Sequence, residues 1–212
     1  MSEAELFDLA ADNRRHAARV FARLTPEQWA APSLCTEWTV RDVAGHFLLP
    51  LCVSTPRMVL GMLRHRGSFD AYNAEASRRL GRKPVDEIVS LLEQHAASRF
   101  TPPGHDANAP LADTSIHLRD VARPLGLDDS PPLSTWRIVL DFLVTPKARG
   151  DFVAKGLLDG LQLRATDQEW GSGSGAAVEG PSEALALVLT GRPAGLADLG
   201  GPGAATLAGK LR

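Results

Sequence analysis

The sequence predicts a mainly α-helical protein in which a helical N-terminal domain is followed by a small α/β domain. Up to residue 146, apolar residues recur at helical spacing in segments that are bounded by capping residues. Beyond that point the sequence changes to an alternating apolar and polar pattern, a Gly/Ser-rich turn and a short apolar helix. We therefore place the domain boundary at Thr145-Pro146, which gives domains of residues 1–146 and 147–212.

The composition is that of an ordinary globular protein. Together with the charge pattern, it argues against a nucleic-acid-binding, a secreted or a membrane protein. The formal net charge of -2 over 212 residues offers no basic surface for nucleic acid. Residues 1–20 are charged and amphipathic, unlike a signal peptide or a membrane span. With Cys35 and Cys52 as its two cysteines, the chain is expected to carry free thiols in the cytoplasm, with no membrane partner. The sequence leaves open whether the protein is a monomer or a homodimer.

The first helices are predicted from apolar spacing and from capping signals. Apolar positions at near-helical spacing predict a helix over residues 3–24. Residues 25–28, Thr-Pro-Glu-Gln, have the pattern of a capping box and open a short second helix. Thr39 is predicted to cap a long helix in which residues 43–53 are apolar almost all round. Such a helix is expected to be buried rather than merely amphipathic.

The remaining elements are predicted from the same signals. They are helices at residues 68–81, 84–100 and 111–125, a helix capped by Ser134 or Thr135, a strand within 157–167, a second strand within 170–180, a helix between Pro181 and Gly191, and a short terminal helix.

His46 lies inside the most apolar helix that the sequence predicts. A buried imidazole must find hydrogen-bond or ligand partners for its ring nitrogens. His46 is therefore either a core histidine bonded to a backbone carbonyl or a metal ligand, and the residues alone leave both interpretations open. Pro50 lacks an N–H group, so the carbonyl of His46 loses its usual helical partner and a kink is expected here.

His117 shares a predicted helical face with two carboxylates. Asp113 precedes it by four residues and Asp120 follows it by three, and at ~100° per residue all three point to one side. A carboxylate one turn away from a histidine can ligate a metal together with it. The alternative is a solvated acidic face on which an aspartate pairs with Arg119 or Arg123.

The tryptophans and cysteines near His46 in the sequence are expected to have structural roles. Trp29 and Trp38 flank a turn and a cap, and we expect them to anchor the start of the long helix. Cys35 and Cys52 lack the CxxC spacing of a zinc site, so they are expected to be small buried hydrophobic residues.

Several motifs carry a resemblance to a known family. Residues 29–46 contain W-x-x-P-S-x-C-x-x-W-T-V-R-D-V-x-x-H, which resembles the start of the mycothiol-dependent maleylpyruvate isomerases. These belong to the wider DinB/YfiT-like group of metal-binding four-helix bundles. Residues 117–126 resemble the second metal helix of the family, and residues 163–170, 180–181 and 190–192 resemble its C-terminal domain. The resemblance covers nearly the whole chain and implies a DinB-like four-helix bundle followed by a small α/β domain.

The family implies one metal site made of a histidine, an acidic residue and a second histidine. The histidines correspond to His46 and His117, and the acidic ligand, usually Glu, falls on Asp113. Because Asp is one methylene shorter, either the helix lies closer to the metal or Asp113 binds through water. Asp120 is the alternative ligand, and is otherwise expected to orient His117 or to pair with Arg123. This ligand set suits Zn²⁺, with Ni²⁺ and Fe²⁺ as alternatives.

The resemblance also implies a function. It indicates an enzyme that uses mycothiol or a similar small thiol on a small electrophilic substrate, by isomerisation or by thiol transfer. The isomerase is thought to hold a substrate carboxylate with an arginine of the C-terminal domain, and we expect Arg192 in this catalytic role, with Arg164 second. Otherwise Arg192 is a cation favoured at a helix C-terminus. Two alternatives remain: a non-catalytic protein that binds metal or a small ligand, and a structural protein with both histidines satisfied in the core.

Overall fold

The computed structural model describes residues 1–211 and separates the chain into two compact units, Met1–Ser130 and the residues from Pro131 onward. The division lies before helix α8 (Leu133–Leu143), whereas the sequence analysis placed the boundary after it, at residue 146. The reason is packing, because α8 lies against a helix of the C-terminal unit, Ser182–Leu189. Apolar periodicity shows that a segment is helical but not which core it joins.

The N-terminal unit is helical, as predicted. Its helices are α1 (Glu3–Ala22), α2 (Pro26–Ala30), α3 (Val40–Cys52), α4 (Thr55–Arg64), α5 (Phe69–Gly81), α6 (Val85–Gln94) and α7 (Asn108–Ala122). Helix α1 packs against α6 and α7, and α3 packs against α5, α6 and α7. The prediction that residues 43–53 are buried holds for residues 43–49 apart from the partly exposed His46, whereas residues 50–53 are only partly buried.

The predicted capping residues are found at the starts of α2 and α3. Thr25 accepts a hydrogen bond from the backbone N–H of Gln28, whose side chain returns to the Thr25 N–H. Thr39 and Asp42 form the same reciprocal pair at the start of α3. Each such cap contributes about 1 kcal/mol and fixes where the helix begins. The register of α3, and with it the direction of His46, is therefore set partly at Thr39.

Helices α3 and α5 approach each other at backbone distance. A Cβ atom added to Gly45 would lie 1.9 Å from the carbonyl oxygen of Ser77, and one added to Gly81 would lie 2.4 Å from that of Arg41. Only glycine permits such a contact without displacing a backbone. Because Gly45 precedes His46, the contact brings the histidine next to α5.

Several elements differ from their predicted bounds. Helix α4 was not predicted; its Met58 and Met62 pack against the core while partly exposed, and Val59, Leu60 and Leu63 are exposed. Helix α6 ends at Gln94 rather than near residue 100. The Nη1 group of the buried Arg14 donates to the carbonyls of Ala96 at 2.7 Å and Ser98 at 3.0 Å. These carbonyls bind a side chain instead of continuing the helical ladder.

The C-terminal unit contains a small sheet, as predicted. Strand β1 (Leu161–Ala165) lies between β2 (Gly171–Gly173) and β3 (Ala176–Gly180), antiparallel to the first and parallel to the second. The single strand predicted within 170–180 is thus two strands, separated at Gly175, where φ is +128°. Helices α9 (Ser182–Leu189) and α10 (Ala204–Lys210) complete the unit with α8. Within residues 1–211, no helix is both long and apolar enough to cross a membrane.

Candidate metal centre

Three predicted ligands converge inside the N-terminal unit. His46 comes from α3, and Asp113 and His117 come from adjacent turns of α7. The Oδ1 atom of Asp113 lies 3.3 Å from Nε2 of His46 and 3.4 Å from Nε2 of His117. The two imidazole rings have their centroids 4.4 Å apart. One carboxylate oxygen therefore stands between two imidazole nitrogens that belong to different helices.

The opposite nitrogen of each imidazole is held by a side-chain oxygen. Nδ1 of His46 lies 2.9 Å from Oδ1 of Asn73 on α5, and Nδ1 of His117 lies 2.8 Å from Oδ2 of Asp120. A carboxylate or amide oxygen accepts hydrogen bonds, so Nδ1 of each ring carries the proton. The Nε2 atom of each ring therefore faces Asp113, which leaves it as the nitrogen that a metal ion would bind.

The metal-free cluster is an ion-pair network. Burial alone would raise the pKa of Asp113, but the neighbouring His46 and His117 outweigh it and hold that pKa well below its usual range. Burial would likewise lower the pKa of His117, but the Asp113 carboxylate and hydrogen bonds to Asp113 and Asp120 raise it well above the usual histidine value. Asp113 is thus a carboxylate throughout the neutral range, and a proton on His117 balances its charge.

The cluster has the composition and spacing of a divalent-metal site. One ligand atom from each of His46, Asp113 and His117 lies within 4.8 Å of the others. The side chains of both histidines are 12% exposed and that of Asp113 is 33% exposed, so the cluster is open on the Asp113 side. Two imidazoles, one carboxylate and an open side match the pattern of catalytic zinc sites. The shorter Asp side chain reaches both histidines in this arrangement.

Asp120 lies on the far side of His117 from Asp113. Its side chain is fully buried, and it contacts Nδ1 of His117 rather than Nε2. This is the position that we predicted for a residue that orients His117, and it does not face His46.

Sequence reasoning missed three residues of this centre. Asn73 holds His46, but nothing in its surrounding sequence marks it. Trp38 was expected only to anchor a helix, yet its ring lies 5.4 Å from that of His46 and 6.4 Å from that of His117. Cys35 was expected to be a buried hydrophobic residue, yet it is half-buried and its thiol donates to Asp120. The W-x-x-P-S-x-C-x-x-W motif placed the last two near α3 but gave no contact with α7.

The two arginines named from the sequence lie in the C-terminal unit. Arg192 follows α9, and its guanidinium donates to the carbonyl of Thr190. Arg164, on β1, lies 3.6 Å from Glu179 and donates to Gln162. Their role in catalysis remains a prediction.

The segment that contains His46, Asp113 and His117 matches a known protein family. The family model described as the mycothiol maleylpyruvate isomerase N-terminal domain matches residues 10–141, a segment that contains every residue of the cluster. The chain belongs to this family. The match confirms the resemblance that the motifs indicated.

Solved structures agree with the family at the level of the fold. A histidine-to-alanine mutant of the mycothiol-dependent maleylpyruvate isomerase superposes with a TM-score of 0.57 at 14% identity, covering 95% of this chain and 93% of the other. A second structure of that isomerase gives a TM-score of 0.50 at 15% identity, with the same coverage. None of the curated proteins compared with the chain matches it. At such identities the likeness establishes the maleylpyruvate isomerase fold, mainly helical with a small sheet, but not an activity.

The charge state of the cluster predicts a pH dependence with two opposite signs. A metal ion must displace the proton of His117, so we expect zinc affinity to rise with pH through the raised pKa of that residue. The metal-free protein gains stability from the same proton. That contribution is complete below the unfolded histidine pKa of about 6.5 and is lost as pH rises through the folded value.

Zinc competition titrations and urea unfolding of the metal-free protein, each between about pH 6 and pH 9, would measure both trends. A zinc affinity that stays flat across this range would show that His117 is not the protonated group.

Proposed function

We propose that the protein is a divalent-metal-binding, thiol-dependent enzyme that catalyses isomerisation or thiol transfer on a small electrophilic substrate. Mycothiol, or a similar small thiol, is the proposed co-substrate. The observation that supports this most strongly is the convergence of His46, Asp113 and His117, with both Nε2 atoms directed to one point. Membership of the mycothiol maleylpyruvate isomerase family supports the thiol.

The residues of the chain would prepare the site before any ligand enters. His46, Asp113 and His117 would hold the ion, Zn²⁺ by preference with Ni²⁺ or Fe²⁺ as alternatives. Such an ion lowers the pKa of a bound thiol and so supplies a thiolate nucleophile at neutral pH. Asn73 and Asp120 keep the two imidazoles in the required tautomer. The exposed side of Asp113 is where a thiol and a substrate would approach.

The two proposed reactions differ in what they require of the chain. Addition of a thiolate to an activated double bond, followed by rotation and elimination, gives isomerisation. Displacement of a leaving group by the thiolate gives thiol transfer. Isomerisation of a carboxylate substrate would use a cationic anchor, for which we propose Arg192. Thiol transfer would require an apolar pocket and no such anchor.

The experiment that tests the proposal has two stages. Metal content is first measured by elemental mass spectrometry on protein purified without chelator or a nickel column. About one divalent ion per chain is expected. Consumption of mycothiol is then followed with electrophiles of both kinds, activated cis alkenes and substrates with a leaving group. His46→Ala protein serves as the control that should show neither activity.

Each result has a definite meaning. Metal binding with thiol consumption or isomerisation supports the enzyme. Metal binding without turnover of either kind favours a non-catalytic metal- or ligand-binding protein on the same bundle. Absence of metal, with no uptake of added zinc, would contradict the proposal and leave both histidines as core residues.

A further inference from the structure

Cys35 is held in place by the segment that leads into α3. The N–H of Leu34 donates to the carbonyl of Asp120 at 3.1 Å, which joins this segment to α7. The N–H of Cys35 donates to Oγ of Ser33 at 3.1 Å, and its carbonyl accepts from the N–H of Trp38 at 3.1 Å. With its backbone bonded on both sides, Cys35 has little freedom to move away from α7.

The thiol of Cys35 is directed at the carboxylate that holds His117. Its Sγ atom lies 3.0 Å from Oδ2 of Asp120 and 3.7 Å from Nδ1 of His117. The same Oδ2 atom accepts the Nδ1–H group of His117 at 2.8 Å. Asp120 is fully buried, and a buried carboxylate needs hydrogen-bond donors to remain charged. Thiol, carboxylate and imidazole thus form a chain of hydrogen bonds that ends at the candidate metal centre.

The same three side chains are spaced closely enough to hold a metal ion of their own. Such an ion would have to replace the proton on Nδ1 of His117, since Oδ2 of Asp120 lies at hydrogen-bond distance from that nitrogen. His117 would then bind an ion through each nitrogen, and Asp120 would no longer orient it. The geometry favours hydrogen bonding over a second metal site.

We propose that Cys35 is a positioning residue, whose thiol fixes Asp120 so that Asp120 holds His117 with its Nε2 atom directed at Asp113. The proposal rests on the proposed metal centre for its consequence, but the hydrogen-bond chain itself is present without metal. Loss of the thiol removes one of the hydrogen bonds that fix the Asp120 carboxylate and so loosens its hold on His117. A metal ion that binds His117 must then order the imidazole itself, and this makes the binding free energy less favourable. In the wild-type protein the hydrogen bonds of Cys35 and Asp120 have already ordered it.

The variants Cys35→Ala and Cys35→Ser separate the donor from mere packing. Serine keeps a donor at this position, whereas alanine removes it. Cys52→Ala is the matched control, because Cys52 is also half-buried and outside any disulfide but lies at the end of α3. Thermal unfolding of each metal-free variant shows whether it still folds.

Two readouts test the proposal. In the metal-free protein, the ¹⁵N and ¹H signals of the His117 Nδ1–H group are recorded by NMR. We expect Cys35→Ala to shift this signal and to speed its exchange with water, while Cys35→Ser and Cys52→Ala keep it close to wild type. In zinc competition titrations, Cys35→Ala is expected to weaken affinity about 5- to 10-fold and Cys35→Ser by no more than about 2-fold.

The two readouts distinguish failure of this proposal from failure of the proposed function. An NMR signal that responds to Cys35→Ala in a protein that binds no zinc would support the positioning chain and overturn the metal centre. Zinc binding with an unchanged NMR signal and unchanged affinity in Cys35→Ala would overturn the role of Cys35. Two zinc ions per chain, with one lost in Cys35→Ala, would overturn it in favour of a second metal site.

Discussion

Replacement of His117 by alanine is expected to abolish stoichiometric metal binding. The change removes one of three ligands and also leaves Asp120 without the imidazole that it holds. Since loss of a residue that only supports a ligand typically weakens metal affinity about 10- to 100-fold, loss of the ligand itself should exceed about 100-fold. Elemental mass spectrometry of the purified protein and competition against a chromophoric chelator would measure the change.

His46→Ala should give the same result from a different helix, since His46 belongs to α3 and His117 to α7. His16→Ala is the matched control, because His16 bonds to Asp129 at 2.8 Å and contacts none of the three ligands. It should retain the wild-type metal content. If both ligand variants kept their metal, the assignment of the centre would be wrong.

Replacement of Gly45 by alanine is expected to cost about 3 kcal/mol of unfolding free energy or more. The new methyl group would lie 1.9 Å from the carbonyl oxygen of Ser77 and 2.5 Å from the amide nitrogen of Gly81. Both are backbone atoms, so the clash is relieved only by separating α3 from α5. Urea unfolding of the metal-free protein would measure the loss.

The same substitution should also disturb the metal centre, because His46 bonds to Asn73 across the α3–α5 contact. Gly209→Ala is the control, since Gly209 lies in α10 and an added Cβ meets nothing within 4 Å. It should be neutral, or stabilising by up to about 1 kcal/mol. A Gly45→Ala protein as stable as wild type would show that the two helices lie farther apart than described.

The parts of the fold that follow from local signals were predictable. Thr25 and Thr39 each carry their reciprocal partner three residues away, so the starts of α2 and α3 are visible in the sequence. The end of α6 is not, because the carbonyls of Ala96 and Ser98 are bound by Arg14, a residue from a distant part of the chain. A contact of this kind does not change the spacing of apolar residues near residue 95.

The residues of the candidate site were likewise predictable only in part. His46 stood out as an imidazole in an apolar helix, and Asp113 and His117 as neighbours on one helical face. Asn73 did not, since its role depends on the close approach of α3 to α5 through Gly45 and Gly81. Asp120, which orients His117, could be predicted because it lies one turn away on the same helix, whereas Asn73 and Cys35 reach the site only through tertiary contacts.

The position of Asp113 between the two imidazoles has a consequence for the metal-free protein. With His117 protonated, the charge of the carboxylate is already balanced, so the metal-free cluster holds no unpaired negative charge at Asp113. In the proposed metal centre the three side chains would be in place before an ion arrives, and exchange of one ion for another would not have to pass through an unfolded state. Occupancy of the proposed centre would then follow the supply of ions in the surroundings together with the preference of the donor set.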